Sequence, residues 1–411
     1  MVSKAQGAPS RETPPTRAKD GAHIGILATL QRTIFLVSLP FGILTFVLPI
    51  YGQEIGATAV QIGLFFSAFS LMTVLLRPLV GIGLDRFGRR PFLIVGLAAY
   101  GFTMFAFAFS QQVWAIVTAR LLQGLAAAFL WLSSSAITAD VASSEDRGRA
   151  FGIITEANMR GGLVGTFVGF GVLMTLGFTE GWLWLFIGYG LVSLAAAILT
   201  WRQLSETNPR SGPIPRRPIG WTRPMILLLL VTLVTAASWA MVSPILMIFL
   251  QQKLDVRVAE LAIAYLPAAL VWAVLPGRLG GLADRFGRKP LMLFGMAVAA
   301  ASSFLIPGLS SLVALAALWA LQAVCYAAGD PAEQALVADL TGGDQRGRAY
   351  GLYTAAAGLG AAAGPLVGGW LYDSIGVQAP FYANGIVLAL STLALWALLE
   401  IPARTPTRPL D

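Results

Sequence analysis

Eight ionisable residues lie inside stretches that are otherwise apolar: Arg32, Arg77, Arg120, Glu156, Arg160, Arg278, Asp330 and Glu333. Their types and spacing limit the chemistry open to them. Glu156 and Arg160 stand at i, i+4 and can pair along one helix face. Asp330 and Glu333 stand at i, i+3 and share a face, with no basic neighbour within a turn on their own helix. Two carboxylates held that close titrate as a unit, which suits proton carriage. Arg120 precedes Gln123 by three residues. An arginine that approaches and leaves an acid in a dry setting can release and load a proton. The residues expected to handle a proton are Arg120 with Asp330 or Glu156. Asp330 is preferred over Glu333, which lies only six residues from Asp339 and so nearer the end of its apolar run. Nucleophilic and metal chemistry find no support: the single cysteine, Cys325, lies in an apolar run and the single histidine, His23, ends a polar tail.

Charges of this kind need a scaffold that hides them from hydrocarbon. Of the 411 residues, 56% are hydrophobic and only 12% charged, where soluble domains carry about 25% charged residues. Apolar runs of 18 residues or more recur, each long enough to cross a bilayer. The fold class implied is an all-α polytopic membrane protein. Residues 1–23 read as a tail, 24–203 as six spans, 204–222 as a Pro- and Arg-containing linker, 223–402 as six more spans, and 403–411 as a second tail. The tail has no apolar signal-peptide core, so insertion is expected to begin with the first span. The net charge of +8 is spread over alternate loops and does not form one basic face, which argues against a nucleic-acid partner. By the positive-inside rule the tails and the linker face the cytoplasm. Spans three, six, nine and twelve carry no charge inside and should face lipid, with Gly101 and Phe105 as lipid-side positions on span three. No loop is long enough for a soluble signalling domain.

The chain is duplicated. Residues 81–91, GIGLDRFGRRP, return as 280–290, GGLADRFGRKP, at an offset of 199 (284 − 85 = 199). The same offset carries Asp140 onto Asp339, Arg147 onto Arg346, and Gly161, Gly165 and Gly169 onto Gly360, Gly364 and Gly368. The glycine ladders are small-xxx-small faces, expected to pack the two halves together. An Asp at a span end can meet a helix N-terminus or an Arg in one state and lose it in another.

The doubled loop, with Asp85, Arg86, Gly88, Arg89 and Arg90 in one copy and Asp284, Arg285, Gly287, Arg288 and Lys289 in the other, resembles the signature of major facilitator superfamily transporters. The resemblance covers residues 24–402. It implies twelve transmembrane helices in two pseudo-symmetric six-helix bundles that rock about a cavity lined by spans one, four, seven and ten. It also implies a cytoplasmic gate built from Asp85, Arg86, Arg89, Asp140, Arg147, Asp284, Arg285, Arg288, Asp339 and Arg346. The run Arg120-Leu-Leu-Gln123-Gly124 resembles the RxxQG element of proton-coupled members, although the offset places Trp319 opposite Arg120. Drug antiporters carry GxxxGPxxGG on span five. Here Thr166 replaces that proline, and the element stands on span eleven with Gly360, Gly364 and Pro365. What the resemblance implies is proton-coupled export of small amphipathic compounds across a bacterial inner membrane. The protein would act as a monomer in lipid, with the proton gradient in place of any cofactor. The alternative is a symporter or exporter of a specific metabolite, an anion being one candidate because Arg120 and Arg160 both lie at membrane depth.

Overall fold

Prolines and glycines set the breaks in this helical chain. The computed structural model describes residues 16–142, 147–207, 222–256, 258–275, 286–339 and 346–399. Among them are fourteen α-helices and one 3-10 turn, Ile306–Gly308. The first span is three pieces, α1 (Thr16–Val37), α2 (Pro40–Phe46) and α3 (Leu48–Glu54). Pro40 and Pro49 each sit in the first turn of a new piece, where a missing N–H is no loss. The helix thus begins at Thr16, inside the segment expected to be tail. Then come α4 (Ala59–Phe87), α5 (Arg89–Phe109), α6 (Val113–Val141), α7 (Arg147–Leu176) and α8 (Phe178–Gln203). The second half holds α9 (Arg223–Leu254), α10 (Val258–Val274), α11 (Arg288–Leu305), α12 (Leu312–Asp339), α13 (Arg346–Ser374) and α14 (Ala379–Leu398).

Among the described residues, nine helical runs are long and apolar enough to cross a membrane. The runs that fall short are α10, with 17 residues described, α12, whose apolar part is Leu312–Ala327, and α13, rich in Gly and Ala. The helices that carry no interior charge present apolar stripes outward. Val95, Phe102 and Phe109 are exposed at seven-residue spacing on α5, and Ile386, Leu390, Leu393 and Trp396 are exposed on α14. Such stripes suit hydrocarbon, and this is a multi-pass membrane protein. Gly101 is not on that stripe. A Cβ there would stand 3.1 Å from Leu194 and 3.2 Å from the Gly190 carbonyl, so this position faces α8.

The glycine ladders correct one expectation. They pack helices within each half, not the halves against each other. A Cβ on Gly161 or Gly165 of α7 would come within 2.3 Å of Phe35 O or 1.9 Å of Leu39 O on the first span. The copy repeats the arrangement: Gly360 and Gly364 of α13 lie against Leu233 O and Ala237 O of α9, at 2.2 and 2.1 Å. Contact between halves uses other small residues. Gly63 of α4 abuts the Pro365 carbonyl of α13, and Gly369 abuts Ala59 O, with built Cβ distances of 2.1 and 2.4 Å. The antiparallel pair α4–α13 thus crosses the seam.

The two ends of the bundle differ. The end holding residues 81–90 and 287–289 is the basic end. At the opposite, far end the halves meet through side chains. Phe46 and Tyr265 ring centroids are 4.8 Å apart, and Ile50 joins a buried cluster with Val242, Phe249 and Leu250. Nearby, Tyr51 stacks on Trp182 at 4.0 Å and donates to Ser110 O at 2.8 Å, while Trp182 Nε1 donates to Phe107 O at 2.9 Å.

Candidate functional site

Arg120 is set by α6 into the core of the first half, with only 4% of the residue exposed. Its Nη1 donates to Gln123 Oε1 at 2.9 Å and its Nη2 to Leu44 O at 3.4 Å. Gln123 in turn donates from Nε2 to the Tyr100 hydroxyl at 2.9 Å. The guanidinium lies over Phe66 at 4.7 Å and Phe69 at 5.4 Å, with Phe107 at 6.0 Å. A weakly hydrated, planar cation suits such a cage. Its Nε, buried, has no hydrogen-bond partner among the described residues.

Glu156 pairs with Arg160 on α7, both side chains well exposed at 47% and 62%. Arg120 and Glu156 thus each hold a separate partner. Glu333 sits differently. On α12 it is half-buried, and its Oε1 accepts from Thr232 Oγ1 of α9 at 3.0 Å. Tyr353 of α13 adds a second hydrogen bond. One carboxylate is therefore held by hydroxyls from two other helices. One layer away on the same α9–α12 seam, Trp239 meets Tyr326 edge-on at 5.4 Å. Asp330 lies on α12 between these layers; its side chain is outside the described residues.

At the basic end α4, α5 and α6 bring three of the expected gate residues together. Arg89 Nε donates to Asp140 Oδ2 at 3.0 Å, its Nη2 lies 3.4 Å from Asp85 Oδ1, and its Nη1 donates to Leu84 O at 2.9 Å. The Asp140 side chain is 14% exposed and that of Asp85 is 79% exposed. Arg86 lies 5.3 Å from the Phe87 ring, and Arg288 opens α11. Asp284 and Arg285 fall outside the described residues, as do the side chains of Arg147, Asp339 and Arg346.

The sequence reading missed Glu206 and Thr207, which it placed in the linker. Glu206 accepts from the backbone N–H groups of Arg89 at 2.9 Å and Arg90 at 3.2 Å, and so caps α5. Thr207 Oγ1 donates to Asp140 Oδ2 at 3.2 Å. Arg90 and Lys289 cap the other kind of terminus. Arg90 Nη2 donates to Trp201 O of α8, and Lys289 Nζ to Trp396 O at 2.9 Å and Leu399 O at 2.6 Å, at the end of α14. No repeat or spacing signal points to Glu206, since the offset carries it onto Thr405.

The sequence profile of the Major Facilitator Superfamily matches residues 33–279 and 228–411. The chain belongs to this family. Members carry solutes across membranes and are not enzymes. Among curated relatives, Multidrug resistance protein 1 of Bacillus subtilis is 27% identical over 384 residues, 92% of this chain and 97% of that one. Multidrug resistance protein MdtG of Yersinia enterocolitica is 24% identical over 398 residues, 92% and 94% of the two chains. Two solved structures share the fold. A bacterial homologue of the human lysosomal transporter Spinster, inward-facing and occupied, gives a TM-score of 0.76 at 17% identity over 94% of this chain and 97% of that one. The human organic anion transporter MFSD10 gives 0.68 at 21% identity, covering 93% and 100%. In this facilitator the Gly-ladder helices, the caged Arg120 and the basic-end cluster all sit on the family's scaffold.

Proposed function

We propose that this facilitator exports small amphipathic, drug-like compounds by alternating access, driven by the inward movement of protons. The basic end faces the cytoplasm with both termini, the membrane is a bacterial inner membrane, and the protein works as a monomer without a cofactor. The observation that carries the coupling is the setting of Glu333. Its partners Thr232 and Tyr353 are hydroxyls, which hydrogen-bond a carboxylate and its protonated form alike. No cation among the described residues pairs with it, so the group can change charge without breaking an ion pair there. Because those partners sit on α9 and α13, a change at Glu333 is felt by two helices that border the seam. Asp330, one turn away, is the second acid of the same helix. Arg120 supplies a fixed positive charge in the opposite half, and its cage keeps it from direct contact with a substrate in this state. That placement supports a coupling role over an anion-binding one. The relatives named for multidrug resistance agree with a broad, amphipathic substrate range.

The test is transport in proteoliposomes. Glu333→Gln should abolish pH-driven accumulation while leaving counterflow exchange measurable, because the cavity still alternates. Full pH-driven accumulation by Glu333→Gln and by Asp330→Asn would place coupling elsewhere.

A further inference from the structure

The start of α4 is capped from two sources. Thr58 and Gln61 form a capping box: Thr58 N donates to Gln61 Oε1 at 3.0 Å, and Gln61 N to Thr58 Oγ1 at 3.3 Å. The box leaves the two N–H groups between them, on Ala59 and Val60, without a local acceptor. Both donate to one carboxylate from the other half of the molecule. Ala59 N reaches Asp373 Oδ1 at 3.3 Å, and Val60 N reaches Asp373 Oδ2 at 3.0 Å. Asp373 stands in the last turn of α13, where a negative charge opposes the dipole of its own helix. The N-terminus of α4 supplies the complementary positive end, through those two hydrogen bonds. One turn before it, Gly369 lets the α13 backbone come within contact of Ala59, where a Cβ would stand 2.4 Å from the Ala59 carbonyl.

We propose that Asp373 is a positioning residue for alternating access, the latch that favours closure of the far end. This rests on the alternating-access reading above. In the structure the far end is shut, with Phe46 against Tyr265 and Ile50 among residues of the second half. Opening that end parts α4 from the end of α13 and hands the Ala59 and Val60 amides to water. The capping box travels with α4 and keeps its own two bonds, so the helix start stays formed. The separable part of the cap is the part that crosses the seam. A water-accessible carboxylate at a helix start is worth a small factor, which suits a latch that must release in each cycle.

The experiment is a pair of distance measurements on spin-labelled full-length protein in lipid nanodiscs, in a Cys325→Ser background. One pair, Gln112→Cys with Val377→Cys, reports the far end; the other, Gln203→Cys with Leu398→Cys, reports the basic end. All four positions are exposed. Asp373→Asn should raise the open-to-closed ratio at the far end by about two- to fivefold. Ala59→Pro removes one of the two N–H groups that donate to Asp373, at a position where proline suits a helix start, and should shift the ratio the same way. Thr58→Ala weakens only the local box and should leave the ratio unchanged. An unchanged ratio in Asp373→Asn, or an equal shift in Thr58→Ala, would overturn the latch. Should Asp373→Asn fail to fold, Ala59→Pro decides by the same criterion. If the unmodified protein shows one fixed distance at both ends at every pH and substrate condition, alternating access itself fails; if it alternates and the variants do not shift it, only the latch fails.

Discussion

The two halves of this molecule agree in architecture and disagree in chemistry. At the offset of 199, Gly88 matches Gly287, Arg90 matches Lys289, and the glycine ladder of α7 matches that of α13. Each pair does the same job: a positive-φ helix stop, a carbonyl cap, a close helix contact. The polar sites do not match. Arg120 lies over Phe66 in the first half, whereas at the same positions of the second half Trp319 meets Tyr265 edge-on at 5.6 Å. Glu333 accepts from Thr232, whereas Ser134 and Thr33 stand there in the first half. Ser134 Oγ is buried without a partner among the described residues, and Thr33 bonds instead to Thr200 at 3.0 Å. Duplication built the bundle; the charges inside it were placed once each. The proposed coupling of two events would draw on such an imbalance, because identical halves would respond identically.

The comparison is broken most severely at the ladders. Gly165→Ala and Gly364→Ala each drive a methyl into a backbone carbonyl, at 1.9 and 2.1 Å, which only helix movement can relieve. Each should lose roughly 1–3 kcal/mol of stability or more, seen as lower thermal unfolding temperatures and poor monodispersity in detergent. Gly171→Ala, where nothing lies within 4 Å, should be silent or mildly stabilising. A severe loss in one ladder and none in the other would mean that the repeat is not architectural.

Next in size is the matched pair Arg120→Leu and Trp319→Leu. The first leaves Gln123 Oε1 and Leu44 O without a donor, each worth about 1–3 kcal/mol when buried, and removes the charge. It should reduce pH-driven accumulation to background in liposomes, with counterflow retained. The second loses an edge contact worth about 0.5–1.5 kcal/mol and should slow transport while leaving its pH dependence intact. Equal loss of coupling in both would erase the asymmetry.

How much of this was legible beforehand follows from where the information lies. The membrane class, the span pattern and the duplicated loop are written in hydropathy and in one repeated offset, and family membership followed from Asp85, Gly88 and their copies. The pairing Arg89–Asp140 could be expected from charge at one membrane end. The surroundings of Arg120 and Gln123 could not, because Phe66 and Phe69 come from α4 and Tyr100 and Phe107 from α5, two helices whose rotations no local pattern reports. Thr232 and Tyr353 around Glu333 were hidden for the same reason. The ladders were read as small-residue faces, correctly, yet a periodicity does not name the helix opposite, so packing within each half was mistaken for packing across the seam. Asp373 did carry a signal that went unused: an acid in the last turn of a helix is locally wrong, and local wrongness points to a distant partner.

A finer comparison concerns the two glycine stops. Gly88 adopts φ 98° and ψ 166°, Gly287 φ 88° and ψ 147°, a region that side chains avoid at about 1–3 kcal/mol. Alanine at either position should carry that backbone term. Only at Gly88 does the new methyl also meet a cap, with Glu206 Oε2 2.5 Å away, whereas at Gly287 the nearest atom is Pro290 at 3.4 Å. Gly88→Ala should therefore unfold at the lower temperature of the two. It should also speed hydrogen exchange at the Arg89 and Arg90 amides, as Glu206→Ala would.

The smallest effect separates two meanings of a positive charge. Arg90 and Lys289 could serve only to hold the loops on one side of the membrane, or they could stabilise the helix ends whose carbonyls they touch. Arg86 and Arg89 flank the first, and Arg288 stands beside the second, so losing one cation leaves the loop basic and the orientation unchanged. If the caps matter, Arg90→Met and Lys289→Met should each lower stability by about 0.3–1 kcal/mol, and the deficit should shrink as salt rises, because a charge held against a helix dipole is screened. Lys289, bonded to two carbonyls, should lose the more. Thermal unfolding in nanodiscs at low and high salt, with protease accessibility of the N-terminal tail as the orientation control, tells them apart. Unchanged stability at both salts would leave these residues as markers of topology alone. The one functional equivalence that survives in both halves at the basic end would then be the glycine stop beside them.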